Sequence, residues 1–344
     1  MQTLFNTELS LIQAPMAGVQ NYRLAAAVCN SGGLGSLPCA MLSKEQLLSE
    51  ITKLSQATDK PYNLNFFCHK PIRYTQQQKR QWHALLAPYF TELKVDESSL
   101  GMTATRQPIN AEIVELIAPF KPPVVSFHFG LPTTDIVEKI KSWGGKVISS
   151  ATTVDEAKWL EANGADAVIA QGLEAGGHRG HFLSMDLKLQ QSTAVLVEQC
   201  IGGLNIPVIA AGGIATAEDV KQMLALGAAM VQVGSAYLLC QEATTSALHR
   251  QAILKQSVNS TALTTIFSGR AARGIENRIM RELGTLPLQA PAFPFASIAL
   301  GALRTRSEAL GKSDFSPLWC GQKYIARDGI SAKNITKELM AIDA

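Results

Sequence analysis

The chain has 344 residues, of which 47% are hydrophobic and 17% charged, the composition of a folded globular protein with ample material for a core, not of a disordered one. Its formal net charge of +3 comes from Lys and Arg spread along the chain, so it offers no basic face for nucleic acid or membrane, only a mild attraction for small anions. Six scattered cysteines without a CxxC pair read as reduced thiols of a cytoplasmic protein. The N-terminus lacks signal-peptide character, and no apolar run is long enough to span a bilayer.

From the N-terminus, short β-branched or apolar runs alternate with longer amphipathic stretches, the pattern of parallel strands joined by crossover helices. Strands are predicted at 11–16, ending in QAPMAG (13–18), at 33–36 and at 63–67. A helix over 44–56, with Ser43 as its N-cap, lies between the second and third. Residues 69–108, rich in Gln, Tyr and Arg, interrupt the rhythm as an added helical segment, followed by a helix over 109–118. The alternation resumes with strands at 124–129, 146–150, 167–170, 208–211 and 230–233. Helices at 134–143, 154–163, 187–200 and 217–226 separate them, two capped by Thr153 and Thr216 and three stopped by Gly144, Gly164 and Gly227. Eight such units predict a closed (β/α)8 (TIM) barrel over 1–256 with an insertion at 69–108. Residues 257–344, with prolines at 287, 291 and 294 and a helix near 295–310, are expected to form a cap or extension on the barrel mouth.

In such a barrel the chemistry sits at the C-terminal strand ends, where every notable motif falls. The strands at 208–211 and 230–233 run into Gly212-Gly213 and Gly234-Ser235, each expected to lead into a helix whose free N–H groups favour a phosphate. After the sixth strand comes QGLEAGGHRG (171–180), in which Gln171 could line a planar heterocycle, the glycines admit a ligand close to the backbone, and His178 is the candidate base. His128 in SFHFG is a second candidate, whereas His69, His83, His181 and His249 read as surface or supporting residues. Glu174 and Arg179 are explained as well by an ion pair that stiffens the loop as by catalysis. No HExxH-like spacing, GxSxG elbow or Walker loop is present, so a metal site is not expected. A phosphate site, a ring-edge amide and one base are together what a bound flavin mononucleotide (FMN) requires.

At these residues the sequence resembles the class I FMN-dependent nitronate monooxygenases, through QAPMAG (13–18), SFHFG (126–130), QGLEAGGHRG (171–180), AAGGIA (210–215), QVGSAYL (232–238) and WCGQ (319–322). The resemblance implies a TIM barrel with a smaller added domain, His178 as the catalytic residue, and flavin contacts from Met16, Asn65, Gln171, Gly176, Gly213, Gln232, Val233, Gly234 and Ser235. Asn63, two positions before Asn65, points the same way along its strand. The implied reaction converts an alkyl nitronate, typically propionate 3-nitronate, and O2 to a carbonyl compound and nitrite without a nicotinamide, as detoxification. An FMN-dependent NAD(P)H reductase of the same superfamily, acting on enoyl thioesters or quinones, shares the EAGGH-like loop and the phosphate turns. An FMN-storage barrel without chemistry is the non-enzymatic alternative.

Overall fold

The computed structural model describes residues 4–102, 106–255 and 260–342. Its core is a ring of eight parallel strands in the order β1 (Leu11–Gln13), β9 (Met230–Val233), β8 (Val208–Ala211), β6 (Ala167–Gln171), β5 (Lys146–Ala151), β4 (Val124–His128), β3 (Tyr62–Phe67) and β2 (Gly35–Pro38). A parallel bridge between Ile12 and Leu34 joins the two ends, with Leu34 N–H donating to the Leu11 carbonyl at 2.9 Å. Closure leaves no free sheet edge, and burial on both faces explains the β-branched runs that mark these strands in the sequence. The fold is the expected TIM barrel.

The surrounding helices are α1 (Tyr22–Cys29), α2 (Lys44–Ala57), α3 (Gln76–Leu93), α4 (Ala111–Ile117), α5 (Thr134–Ser142), α6 (Val154–Ala162), α7 (Thr193–Gly203) and α8 (Ala217–Ala225). Ser43, Thr153 and Thr216 each accept from a backbone N–H of the first turn, contacts worth about 1 kcal/mol apiece. Residues 187–200 are not one helix: a 3-10 turn at Leu187–Leu189 precedes α7. After β9 there is likewise a single 3-10 turn, Ser235–Tyr237, and the next α-helix, α9 (Ala247–Lys255), begins well beyond it. The helix expected directly after Gly234-Ser235 is therefore absent, and only the turn's backbone remains there to meet an anion.

The boundary expected between 256 and 257 lies outside the described residues. Beyond it, β10 (Thr261–Thr264) and β11 (Ala272–Ile275) form an antiparallel sheet whose third strand is β7 (Gly177–His178) from the loop after β6. Helix α3 of the insertion shares a separate apolar core with α10 (Arg278–Leu283) and α11 (Ala296–Ala309), where Trp82, Leu86 and Phe90 meet Ile279, Leu300, Leu303 and Phe315. The last helix, α12 (Ala332–Leu339), returns to the barrel, packing against α1 and α8 with Ile335 and Leu339 in the barrel's outer core. Among the described residues no helix is long and apolar enough to cross a membrane, and the six cysteines are free.

Candidate active site

The C-terminal ends of the strands open into a cavity of about 270 Å³, roofed by residues 316–319 and by α11. Met16 reaches it from the turn after β1, Asn65 from β3, and Gln171, Gly176 and His178 from the end of β6 and its loop. Gly213 follows β8, and Gln232, Val233, Gly234 and Ser235 close the ring from β9. Asn63 is fully buried deeper in the barrel and donates to Ser36 and Ser126 at 2.9 Å each, so of the two asparagines Asn65 is the one that borders the cavity.

The loop after β6 is held by its own polar groups. Gln171 donates from Nε2 to the His178 carbonyl at 2.9 Å and accepts from Gly180 N–H at 2.7 Å. Its amide therefore staples the loop, leaving one N–H for a ligand. Arg179, fully buried, donates to the carbonyls of Gln171 and Gly172 and to Gln190 Oε1, all at 2.7 Å. Glu174 accepts instead from the Thr193 N–H and hydroxyl at 2.9 and 2.7 Å. The two charges make no ion pair with each other among the described residues, and each stiffens the loop separately. At Gly176 a Cβ would lie 2.5 Å from Gly321 N, so only glycine admits the WCGQ segment against this loop.

His178 lies in β7, its ring 5.5 Å from both Phe293 and Trp319. Burial, followed by the positive fields of Arg106 and other neighbours, holds its pKa well below the usual imidazole value, so the ring is neutral at physiological pH. Nε2 meets Ser268 Oγ at 2.8 Å, whereas Nδ1 has no partner among the described residues. Ser268 also lies 3.3 Å from the Arg270 carbonyl. If the Ser268 hydroxyl donates to Nε2, Nδ1 carries the proton; if it turns to that carbonyl, Nδ1 is a free base. His128 also lines the cavity, but its nitrogens are spent on Ser150 Oγ at 3.0 Å and the His178 carbonyl at 3.1 Å. Burial pushes it down to about 3, so it positions the loop as a neutral donor. His69, His83, His181 and His249 are all buried, contrary to a surface reading, and His249 borders the cavity.

Three observations bear on what the cavity can hold. Gln232 Oε1 is buried without a hydrogen-bond partner, a debt that a ligand N–H would discharge. Gly213 has φ +68°, a backbone shape that favours glycine. The N–H groups of Gly213, Gly234 and Ser235 make no hydrogen bond among the described residues, which suits a phosphate. Sequence reasoning passed over Ser268, Phe293, Lys323 and Arg106, and singled out Trp319 only as part of the WCGQ motif, without a role. The first three come from the C-terminal segment and Arg106 from the insertion, and nothing local in the sequence ties them to the barrel mouth.

A family model for nitronate monooxygenase matches residues 1–341. The chain belongs to the nitronate monooxygenase family. A nitronate monooxygenase of Pseudomonas aeruginosa is 39% identical over 98% of this chain and 97% of its own. Nitroalkane oxidase from Streptomyces ansochromogenes superposes with a TM-score of 0.89 at 33% identity, covering 97% of this chain and 95% of that one. FabK from Thermotoga maritima gives 0.73 at 27% identity, over 98% and 93%. This chain is accordingly an oxidoreductase of the nitronate monooxygenase family.

Proposed function

We propose that the chain oxidises alkyl nitronates, propionate 3-nitronate among them, with O2 to a carbonyl compound and nitrite, using FMN held at the barrel mouth. The observation that carries this reading is a neutral His178 with an unengaged Nδ1, beside a cavity whose Gln232 Oε1 and glycine N–H groups lack partners. FMN, when bound, supplies the electron acceptance that these side chains lack. Gly213, Gly234 and Ser235 would hold its phosphate, while Met16, Asn65, Gln171, Gly176, Gln232 and Val233 would border the rest.

His178 acts at Nδ1. In one tautomer it removes the proton from the carbon of a neutral nitroalkane, and in the other it donates to a nitronate oxygen, with Ser268 selecting between them. Phe67, Phe129, Phe293 and Trp319 surround the ring and exclude water, strengthening that hydrogen bond. The insertion and the segment from 260 to 320 would serve as a lid on this chamber.

The test is to load the protein with FMN, mix it anaerobically with propionate 3-nitronate, and follow the flavin absorbance before admitting oxygen and assaying nitrite. A spectral change followed by nitrite is expected. An unchanged spectrum without nitrite removes the reading.

A further inference from the structure

Among the described residues, the cations that line the cavity do not all find a carboxylate, and one of them is left over; Arg270, behind the wall, is likewise without an ion pair but stacks on Phe129 at 4.0 Å and donates to the His181 carbonyl. The cations that line the cavity are Arg106, Arg304 and Lys323. Lys323 is paired with Asp219, and Arg304 donates to Glu308 at 2.8 Å. Glu308, the acid on the cavity wall, is further engaged by the Ser316 hydroxyl at 2.6 Å. The Arg106 guanidinium has neither an ion pair nor a hydrogen bond among the described residues, and its Nη1 is buried without a partner. Its guanidinium lies 5.8 Å from the Phe293 ring centroid, and His178 packs against the same ring at 5.5 Å. The cation and the candidate base therefore share one aromatic wall.

Arg106 is half-buried, and a guanidinium whose Nη1 is withdrawn from water without a counterion carries a desolvation cost, of which contact with an aromatic ring returns only a part. Such a cost is offset when a ligand brings the missing anion. Histidine does not play this role here, because His178 and the neighbouring His69 and His128 are held neutral by burial.

We propose that Arg106 is the specificity-determining residue of this cavity, its planar fork receiving a carboxylate on the substrate in addition to the nitronate group that meets His178. The inference rests on the function proposed above and adds the residue that selects dianionic over monoanionic substrates. A guanidinium suits the task because its paired N–H groups match the two oxygens of a carboxylate.

The test uses a ligand that does not react, so that its outcome is separate from turnover. Succinate carries two carboxylates on the four-atom frame of propionate 3-nitronate, and butyrate carries one. Each is titrated into the FMN-loaded protein by calorimetry. The native protein is expected to prefer succinate by about 10- to 100-fold, the worth of one charge-assisted contact. Arg106→Gln should bring the two ligands to within about 3-fold, and Arg106→Lys should fall between, keeping a cation without the fork. A native protein that binds both alike, or an Arg106→Gln protein that keeps the preference, overturns the assignment. The native comparison needs no variant, so it decides even where Arg106→Gln fails to fold. Nitrite assays on the same native sample read the proposed function independently: turnover without a succinate preference sinks this inference alone, and a preference without turnover sinks the proposed reaction alone.

Discussion

Arg179 offers a direct test of how the loop that presents His178 is held. Replacing it with Met keeps the stem and removes a guanidinium that donates to the Gln171 and Gly172 carbonyls and to Gln190 Oε1, all at 2.7 Å, in a site of zero exposure. Hydrogen bonds from a charged group contribute about 1.5–3 kcal/mol each, but the three are not additive, because part of their strength offsets the desolvation of the cation itself. A net loss of about 3–5 kcal/mol follows, the scale of removing one partner from a buried charged network. With unfolding entropy scaling with the 344 residues, this lowers the melting temperature by roughly 4–7 °C. Arg179→Lys should recover less than half, since one ammonium cannot reach three acceptors that a planar fork reaches together. Thermal unfolding by circular dichroism reads the shift, and hydrogen exchange of residues 171–180 should show it concentrated in the loop. A drop below about 1 °C in Arg179→Met, with unchanged exchange, would refute the view that this side chain organises the site.

The remaining expectations concern acid, packing and chemistry. His69, His128, His181 and His249 are held at about 4, 3, 3 and 4, chiefly by burial. Since the folded values lie below the unfolded one, their contribution is complete above pH 6.5 and is lost as pH falls toward the folded values, at roughly 2 kcal/mol each between pH 6.5 and 5. Melting temperatures measured from pH 8 to 5 should hold above 6.5 and then fall steeply, and a flat profile down to pH 5 contradicts the burial argument. Gly176→Ala would put a Cβ 2.5 Å from Gly321 N, and the resulting overpacking of about 1–3 kcal/mol should weaken FMN binding by about 10-fold or more, read by flavin fluorescence titration. An unaltered affinity would detach this loop from the cofactor. His178→Ala should reduce nitrite formation from neutral nitroethane by about 10²–10⁴-fold, with a smaller loss on ethyl nitronate, which has no proton to give up. Equal losses on the two would argue against a base at this position.

What the sequence disclosed, and what it hid, follows from where the determinants lie. All eight barrel strands were legible as elements, and the predicted spans at 208–211 and 230–233, apolar runs, coincide with the observed strands; the span predicted at 11–16 stops at Gln13, and that at 33–36 is observed at Gly35–Pro38, where glycine, serine and proline give little apolar signal. Helix ends were legible wherever a cap residue and its acceptor geometry are local, as at Ser43 and Thr216. The pairing of His178 with Ala272 was not, since a two-residue strand has no period and its partner lies far along the chain. Arg106 was hidden for the same reason: its importance comes from the carboxylate it lacks, and that is visible only after Arg304 and Lys323 have found theirs. The bonding of Glu174 and Arg179 also escaped local reading. Opposite charges five residues apart suggest a pair, but the barrel's carbonyls and Thr193 compete for each and win.

The central claim, oxidation of a nitronate by O2 without a nicotinamide, is tested most directly by one aerobic comparison on the FMN-loaded protein. Oxygen uptake and nitrite are followed with propionate 3-nitronate, and NADH or NADPH is offered to a parallel sample. Oxygen consumption with nitrite release, and a flavin indifferent to both nicotinamides, is the expected result. A flavin rapidly bleached by NADH or NADPH, with no nitrite from the nitronate, would contradict the account and assign the chain to reductase chemistry on the same barrel.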